Sequence, residues 1–280
     1  MISHVPRNTT LGIGSYCYPF AVGTNKRFLP DKPLGSIGLI DKALYHKVKV
    51  VQLADNLNLQ NLTDEQINEI AHYAGEHDVT VETGLRGISA ENLRRHILLS
   101  ERMGARLLRC VIDSIGYKPD FREINKVLTD AIPLLHKTGI TLGIENHDRF
   151  LAKEFKQIIT AAGDQNIGIV LDTVNSFSNE ERSQEVLEIL APYTVCFHVK
   201  DYAIRRRTDA QGLVVTGTIA GEGRLDIPYM LNTLKNQAVR DFSTILEFWM
   251  EPEETTGATL IKEEQWVEKS IKYLRNFIPD

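Results

Sequence analysis

Short apolar runs rich in β-branched residues recur along the chain, and each is followed by a longer amphipathic stretch with a polar start. Such short runs are typical of strands, whereas apolar residues at a spacing of three and four are typical of helices. Strands that alternate with helices indicate repeated βα units around a parallel sheet. Eight units can be identified, and this number predicts a closed (β/α)₈ TIM barrel.

The predicted strands are Leu11–Tyr16, Val48–Ala54, Thr80–Leu85, Leu107–Ile112, Thr141–Asn146, Ile167–Asp172, Thr194–Asp201 and Thr244–Trp249. The predicted helices are Ser36–His46, Thr63–His77, Ala90–Met103, Phe121–Lys137, Lys153–Ala162, Ser183–Leu190, Ile227–Gln237 and Lys262–Phe277. An open doubly wound sheet is the alternative architecture. No linker or composition shift divides the chain, so we expect a single domain over residues 1–280.

Two connections are longer than the others, Cys17–Gly35 and Tyr202–Arg224. The second contains three consecutive arginines and the glycine-rich segment GTIAGEG. Long loops at the carboxyl ends of barrel strands usually form walls or lids of an active site. We therefore expect both connections to border the site.

Charge and hydropathy exclude several classes of function. Of 280 residues, 32 are Lys or Arg and 37 are Asp or Glu, which gives a net charge of −5. Phosphate binding depends on dense Lys and Arg, so this balance argues against a nucleic-acid partner. The first ten residues lack the apolar stretch of an export signal, and no apolar run approaches the roughly 20 residues that span a bilayer. We expect a cytoplasmic protein with no membrane partner.

The last four predicted strands each carry an ionisable residue near the carboxyl end, where barrel side chains face the catalytic mouth. These residues are Glu145, Asp172, His198 and Glu247. Four buried ionisable groups would be costly unless they shared a cation, although a salt-bridge network with Arg109 and Lys200 is the alternative. Three carboxylates and one imidazole favour one divalent ion, which we expect to be Mn²⁺, with Mg²⁺, Co²⁺ and Zn²⁺ as alternatives.

The strand-end motifs IENHD, VLDTVN, FHVKD and ILEFW, together with GTIAGEGRLDIP, resemble those of the xylose-isomerase-like TIM barrel superfamily of sugar phosphate isomerases and epimerases. The resemblance implies a divalent metal held by Glu145, Asp172, His198 and Glu247, as in the ketose 3-epimerases. It also implies that the two glutamates act as acid and base, and that the protein forms a homo-oligomer. Those epimerases tend to have a histidine at the position of Asn175, so a contact to a substrate hydroxyl is altered here.

The predicted chemistry is proton transfer on a small sugar through an enediolate that the metal stabilises. Glu145 and Glu247 lie on strands separated by two others, so one can remove a proton and the other can return one. This arrangement favours an isomerase or epimerase. Loss of carbon dioxide forms the same enediolate, so a decarboxylase or dehydratase of a 3-oxo sugar acid is the second hypothesis. A catalytically silent sugar-binding barrel is the third.

Cationic and polar side chains near the same strand ends are candidates for substrate binding. They are Arg109, His147, Asn175, Lys200 and Arg205. Lys200 lies two residues after His198 and therefore shares its orientation on a strand. Guanidinium groups bind carboxylate and phosphate through paired hydrogen bonds, so the cluster from Lys200 to Arg207 predicts an anionic carbohydrate substrate.

Overall fold

The computed structural model describes residues 6–279. The strands are β1 (Thr9–Gly14), β2 (Val50–Leu53), β3 (Thr80–Arg86), β4 (Leu107–Val111), β5 (Thr141–Glu145), β6 (Ile167–Asp172), β7 (Thr194–Val199), β8 (Tyr202–Arg206), β9 (Leu213–Gly217) and β10 (Phe242–Leu246). The helices are α1 (Ser36–Tyr45), α2 (Asp64–Glu76), α3 (Ala90–Arg102), α4 (Phe121–Thr138), α5 (Ala152–Ala162), α6 (Ser183–Leu190), α7 (Ile227–Gln237) and α8 (Thr256–Leu274).

Eight parallel strands close into a barrel in the order β1-β10-β7-β6-β5-β4-β3-β2. The (β/α)₈ prediction is confirmed, and each barrel strand overlaps the run from which it was predicted. The helix boundaries agree to within a few residues except for α8. That helix begins at Thr256 instead of Lys262 because the Thr255 hydroxyl accepts a hydrogen bond from the Ala258 N–H at 3.2 Å and caps it.

The Tyr202–Arg224 connection contains two strands that were expected to be loop. Strands β8 and β9 form a separate antiparallel hairpin, in which Arg205 is paired with Val214. This hairpin exposes much of its surface, including Leu213 and Val215. Its sequence, with consecutive arginines, therefore lacks the apolar run by which the buried strands were identified. The predicted lack of an export signal rests partly on residues 1–5, which lie outside the described residues.

A plug of side chains fills the barrel interior below the mouth. Val50, Leu107, Val170, Val195, Cys196 and Ile245 form a buried cluster separate from the larger core. Strand glycines make room for it, because a Cβ on Gly143 would lie 2.5 Å from Val170 Cγ2. A small molecule must therefore enter the barrel from its carboxyl-terminal end. Within residues 6–279, no helix has both the length and the apolar character needed to cross a membrane.

Asp201 organises the glycine-rich segment that borders the mouth. Its buried carboxylate accepts hydrogen bonds from the backbone N–H groups of Tyr202, Gly221, Gly223 and Leu225 at 2.8–3.1 Å. A Cβ on Gly223 would lie 2.0 Å from the Asp201 Oδ1 atom. The FHVKD and GTIAGEG motifs therefore form one structural unit, in which only glycine permits the close approach of backbone and carboxylate.

Glu263 on α8 fixes the other long connection. Its buried carboxylate accepts hydrogen bonds from the backbone N–H groups of Phe20 and Ala21 at 2.8 and 3.0 Å. Burial raises the pKa of Glu263 to about 7, although the two N–H groups oppose that shift. The raised pKa means that, between pH 4.5 and 7, folded Glu263 binds a proton that the unfolded chain releases, so stability falls as pH rises through this window.

We predict that Asp201→Asn lowers the melting temperature by about 5 °C or more. Each Asp201 oxygen accepts two backbone N–H groups, and asparagine replaces one of these oxygens with an NH₂ group, which is itself a donor. Two charge-assisted hydrogen bonds are therefore lost, at a cost of about 2–3 kcal/mol in the free energy of unfolding. Thermal unfolding followed by circular dichroism measures the change. Asp209→Asn, at an exposed Asp209 that pairs with Arg207, is the matched control and should leave the melting temperature nearly unchanged. An equal effect of the two substitutions would contradict the role of Asp201.

We predict that Glu263→Gln gains stability relative to the wild type as pH rises from 5 to 8, by about 2 kcal/mol. The glutamine carries no charge, so it lacks the penalty for ionising a buried carboxyl group. Urea unfolding at both pH values gives the difference. Glu268→Gln, on an exposed face of the same helix, is the control. If the Glu263→Gln difference does not change with pH, the proposed titration is wrong.

Candidate metal centre

Four ionisable side chains meet at the carboxyl end of the barrel. Glu145 and Asp172 are the last residues of β5 and β6, His198 is in β7, and Glu247 directly follows β10. All four are at most 1% exposed. The parallel strands bring their ends together at one level, so residues far apart in the sequence become neighbours.

His198 lies at the centre of the group. Its Nδ1 atom is 3.7 Å from Glu145 Oε2, 3.9 Å from Asp172 Oδ2 and 3.5 Å from Glu247 Oε2. Ligand atoms of Glu145, Asp172 and His198 all lie within 4.8 Å of one another. Glu247 lies outside that triad but contacts the same imidazole nitrogen.

Several of these atoms make no hydrogen bond with the described residues, although they are buried. They are both ring nitrogens of His198 and Glu247 Oε1, whereas Asp172 Oδ2 and Glu247 Oε2 have only the Lys200 ammonium as a partner. Buried polar atoms are usually satisfied, so unsatisfied atoms that converge on one point need an explanation. A divalent cation supplies one, because carboxylate oxygens and an imidazole nitrogen are suitable ligands for it. The donor set therefore fits the predicted metal.

Neighbouring polar groups fix the orientation of Asp172. Its Oδ1 atom accepts hydrogen bonds from the backbone N–H groups of Val174 and Asn175, both at 2.9 Å. The amide of Asn146 bonds to the Asp172 backbone on both sides, accepting from its N–H and donating to its carbonyl. These contacts leave Oδ2 directed toward the cluster.

Arg109 is buried beside Glu145. Its Nε donates to Glu145 Oε2, and its Nη1 donates to Asp55 Oδ1 at 2.5 Å. Burial would raise the pKa of Glu145, but the positive charge of Arg109 outweighs burial and holds that pKa well below its usual range. Glu145 is therefore an ionised candidate ligand that binds a proton poorly. Arg109, which was expected to bind substrate, is held between two carboxylates.

Asn175 also contacts Glu145. Its Nδ2 group donates to Glu145 Oε1 at 2.7 Å, so both oxygens of this carboxylate have a partner. The side chain was expected to bind substrate, and the structure places it against a metal ligand. Together, Arg109 and Asn175 orient the Glu145 carboxylate.

Lys200 lies between two candidate ligands. Its ammonium nitrogen is 2.7 Å from Asp172 Oδ2 and 2.9 Å from Glu247 Oε2. Burial would lower the pKa of Lys200, but the nearby carboxylates of Asp172 and Glu247 raise it well above its usual range. Lys200 is thus a charged acid directly beside the centre.

The other two predicted substrate-binding residues lie farther out. His147 is half-buried at the rim, with Nδ1 2.8 Å from Asp148 Oδ2. Arg205 is exposed on the β8–β9 hairpin and donates to the Thr216 hydroxyl at 3.0 Å. Arg206 and Arg207 are exposed on the same hairpin. Within residues 6–279, none of these three arginines forms an ion pair or hydrogen bond with the four candidate ligands.

Three residues near the centre were missed in the sequence. Asp55 follows β2, Arg86 ends β3, and Tyr16 follows β1; both Tyr16 and Arg86 contact the Asp55 carboxylate. The guanidinium groups of Arg109 and Arg86 lower the pKa of Asp55 despite its burial. Burial and Asp55 raise the pKa of Tyr16 to about 12, so Tyr16 is a neutral donor. Their positions at strand ends were the available signal.

The chain resembles known proteins over most of its length. A model of the family described as xylose isomerase-like TIM barrel matches residues 40–277. The 3-oxo-isoapionate decarboxylase of Pectobacterium atrosepticum is 25% identical over 264 residues, which cover 94% of this chain and 95% of that protein.

Solved structures share the fold at lower identity. A D-psicose 3-epimerase, whose structure was determined in the presence of D-fructose, superposes with a TM-score of 0.70 at 13% identity, over 97% of this chain and all of the other. A Mycobacterium smegmatis protein in complex with magnesium gives a TM-score of 0.66 at 12% identity, over 98% and 100% of the two chains. With its closed barrel and a family match over most of its length, the chain belongs to the xylose isomerase-like TIM barrel family.

Proposed function

We propose that this protein is a divalent-metal-dependent decarboxylase of a 3-oxo sugar acid. The observation that carries the proposal is the ion pair of Arg109 with Glu145. An epimerase needs one group that removes a proton and a second that returns it, and Glu145 is poorly suited to either exchange because Arg109 stabilises its ionised form. A decarboxylase needs only one proton donor.

The charges of the site support an anionic substrate. Glu145, Asp172, Glu247 and Asp55 are four carboxylates, and they are paired with three cations, Lys200, Arg109 and Arg86. This set has one excess negative charge, which a divalent ion would convert into one excess positive charge. A substrate with one carboxylate would then balance the site. Burial raises the pKa of Glu82, which lies deeper in the barrel and is not part of this set.

The metal would be held by Glu145, Asp172, His198 and Glu247. When bound, it would supply positive charge that stabilises the enolate oxygen of the substrate. Support for metal dependence comes from the unsatisfied ligand atoms described above, and support for the substrate class comes from the relative that decarboxylates 3-oxo-isoapionate.

The proposed reaction assigns a distinct role to Lys200. The bond between the substrate carboxylate and its neighbouring carbon breaks, carbon dioxide leaves, and the electron pair moves into the adjacent carbonyl to form an enolate. The Lys200 ammonium then gives a proton to that carbon and regains one from solvent. The two carboxylates beside Lys200 favour its protonated form before the reaction, and the enolate that forms is basic enough to take the proton.

Ketose 3-epimerisation is the second candidate function. It is favoured by Glu247, whose Oε1 atom has no partner among the described residues, and which faces His198 from the side opposite Asp172 in the strand order. It ranks second because Arg109 and Asn175 occupy the carboxylate of its required partner, Glu145.

We predict that the wild-type protein releases carbon dioxide from 3-oxo-isoapionate and that a chelator abolishes this activity. Restoring Mn²⁺, Mg²⁺, Co²⁺ or Zn²⁺ separately should recover it and identify the preferred ion. Headspace carbon dioxide and metal content by mass spectrometry are the measurements. Release that survives complete metal removal, or no release with any ion, would overturn the proposal.

We predict that Lys200→Met lowers kcat at least about 100-fold, because the variant lacks the proton donor. The variant should retain its metal, because the substitution removes a positive charge that would repel the metal ion. Lys262→Met is the matched control, because Lys262 forms a peripheral ion pair with Glu253. A Lys200→Met variant with normal turnover would exclude Lys200 as the acid.

A further inference from the structure

A cavity of about 560 Å³ opens beside Glu145 at the mouth of the barrel. The ends of β3, β4 and β5 and the loops that follow β4, β5 and β6 form its walls. Four basic side chains line it, namely Arg86, Lys118, His147 and Arg149. The cavity therefore combines access to a candidate metal ligand with four basic side chains, and the acids Asp113 and Asp148 also line it.

Two of these four side chains are already paired with acids. Arg149 Nη2 lies 2.6 Å from Asp113 Oδ1, and its guanidinium stacks on the Phe150 ring. His147 pairs with Asp148 at 2.8 Å. Within residues 6–279, the Lys118 ammonium makes neither an ion pair nor a hydrogen bond, and this side chain is exposed. Lys118 is therefore available to a ligand.

Arg86 is available for a different reason. It uses Nε to donate to Asp55 Oδ2 at 3.1 Å, and its two Nη groups donate to none of the described residues. Asp55 already accepts a hydrogen bond from Arg109, which in turn pairs with Glu145. Charges of alternating sign thus run from Glu145 through Arg109 and Asp55 to Arg86, and the chain ends on a cation at the cavity.

We propose that Arg86 and Lys118 form an anion subsite that binds the carboxylate or phosphate of the substrate. The inference rests on the proposed function and specifies which residues bind the anionic group of its substrate. The free Nη groups of Arg86 suit the paired oxygens of such a group, and a bound anion continues the alternation of charge. The subsite lies on the β3–β5 side of the mouth, whereas the sequence placed an anion site at Lys200 and Arg205.

Calorimetry with three probes of equal carbon number tests the subsite on Mn²⁺-loaded protein. D-Ribonate carries a carboxylate, D-ribulose 5-phosphate carries a phosphate, and D-ribulose is neutral. We expect the wild type to bind at least one anionic probe more tightly than D-ribulose. Arg86→Gln with Lys118→Gln should weaken that binding at least about tenfold while leaving the affinity for D-ribulose within about twofold. The probe that loses affinity identifies the anion.

The double variant Arg102→Gln with Lys126→Gln is the matched control, because it removes the same two charges from exposed helix positions. It should leave all three affinities unchanged. Lys118→Gln alone, on an exposed loop, gives a second test if the double variant folds poorly. Equal losses for anionic and neutral probes, no loss for either anion, or a loss with Arg205→Gln alone would overturn the subsite.

Failure of the subsite can be distinguished from failure of the proposed reaction. Binding is measured without turnover, so a wild type that selects the anions but releases no carbon dioxide from 3-oxo-isoapionate retains the subsite and loses the decarboxylase assignment. Release of carbon dioxide with unchanged anion binding in Arg86→Gln with Lys118→Gln rejects the subsite alone.

Discussion

Arg109 carries a positive charge inside the barrel, and the organisation of the site depends on how that charge is balanced. Its guanidinium contacts Glu145 on one side and Asp55 on the other, and its side chain is only 2% exposed. A buried charge without a partner would cost several kcal/mol, so the carboxylates are needed to keep Arg109 in place. Conversely, Arg109 keeps Glu145 ionised and oriented. The pair thereby suits Glu145 to the proposed role of metal ligand better than to that of proton carrier.

The two sides of the centre carry different charged groups. On the β3–β5 side, alternating charges reach from Glu145 to Arg86 at the rim. On the β6–β10 side, Lys200 lies beside Asp172 and Glu247, where it can deliver a proton. Asp201, directly after Lys200, anchors the glycine-rich segment through four backbone N–H groups. The end of β7 therefore supplies Lys200 and, through Asp201, also fixes the glycine-rich segment next to it.

The fold and the meeting of four ionisable side chains at the barrel mouth could be predicted because they depend on local patterns. Apolar strands followed by amphipathic helices identify βα units, and an ionisable residue that interrupts an apolar strand end identifies a mouth position. Partner choice could not be predicted in this way. Arg109 was expected to face substrate, and nothing in the segment LLRCV indicates that its guanidinium would turn to Glu145 and Asp55. Arg205 was assigned by its closeness to His198 in sequence, and the sequence did not show that it lies exposed on a β8–β9 hairpin with Thr216 as its partner.

The most direct test of the account is proton NMR in D₂O with the Mn²⁺-loaded wild type, supplied in parallel with 3-oxo-isoapionate and with ketoses such as D-fructose and D-tagatose. The account predicts that the acid loses its carboxyl carbon and gains one deuterium at the carbon that is protonated, while the ketoses exchange no carbon-bound hydrogen. Deuterium entering a ketose at unchanged carbon number, with the acid left intact, would contradict it and would establish that Glu145 carries protons despite Arg109.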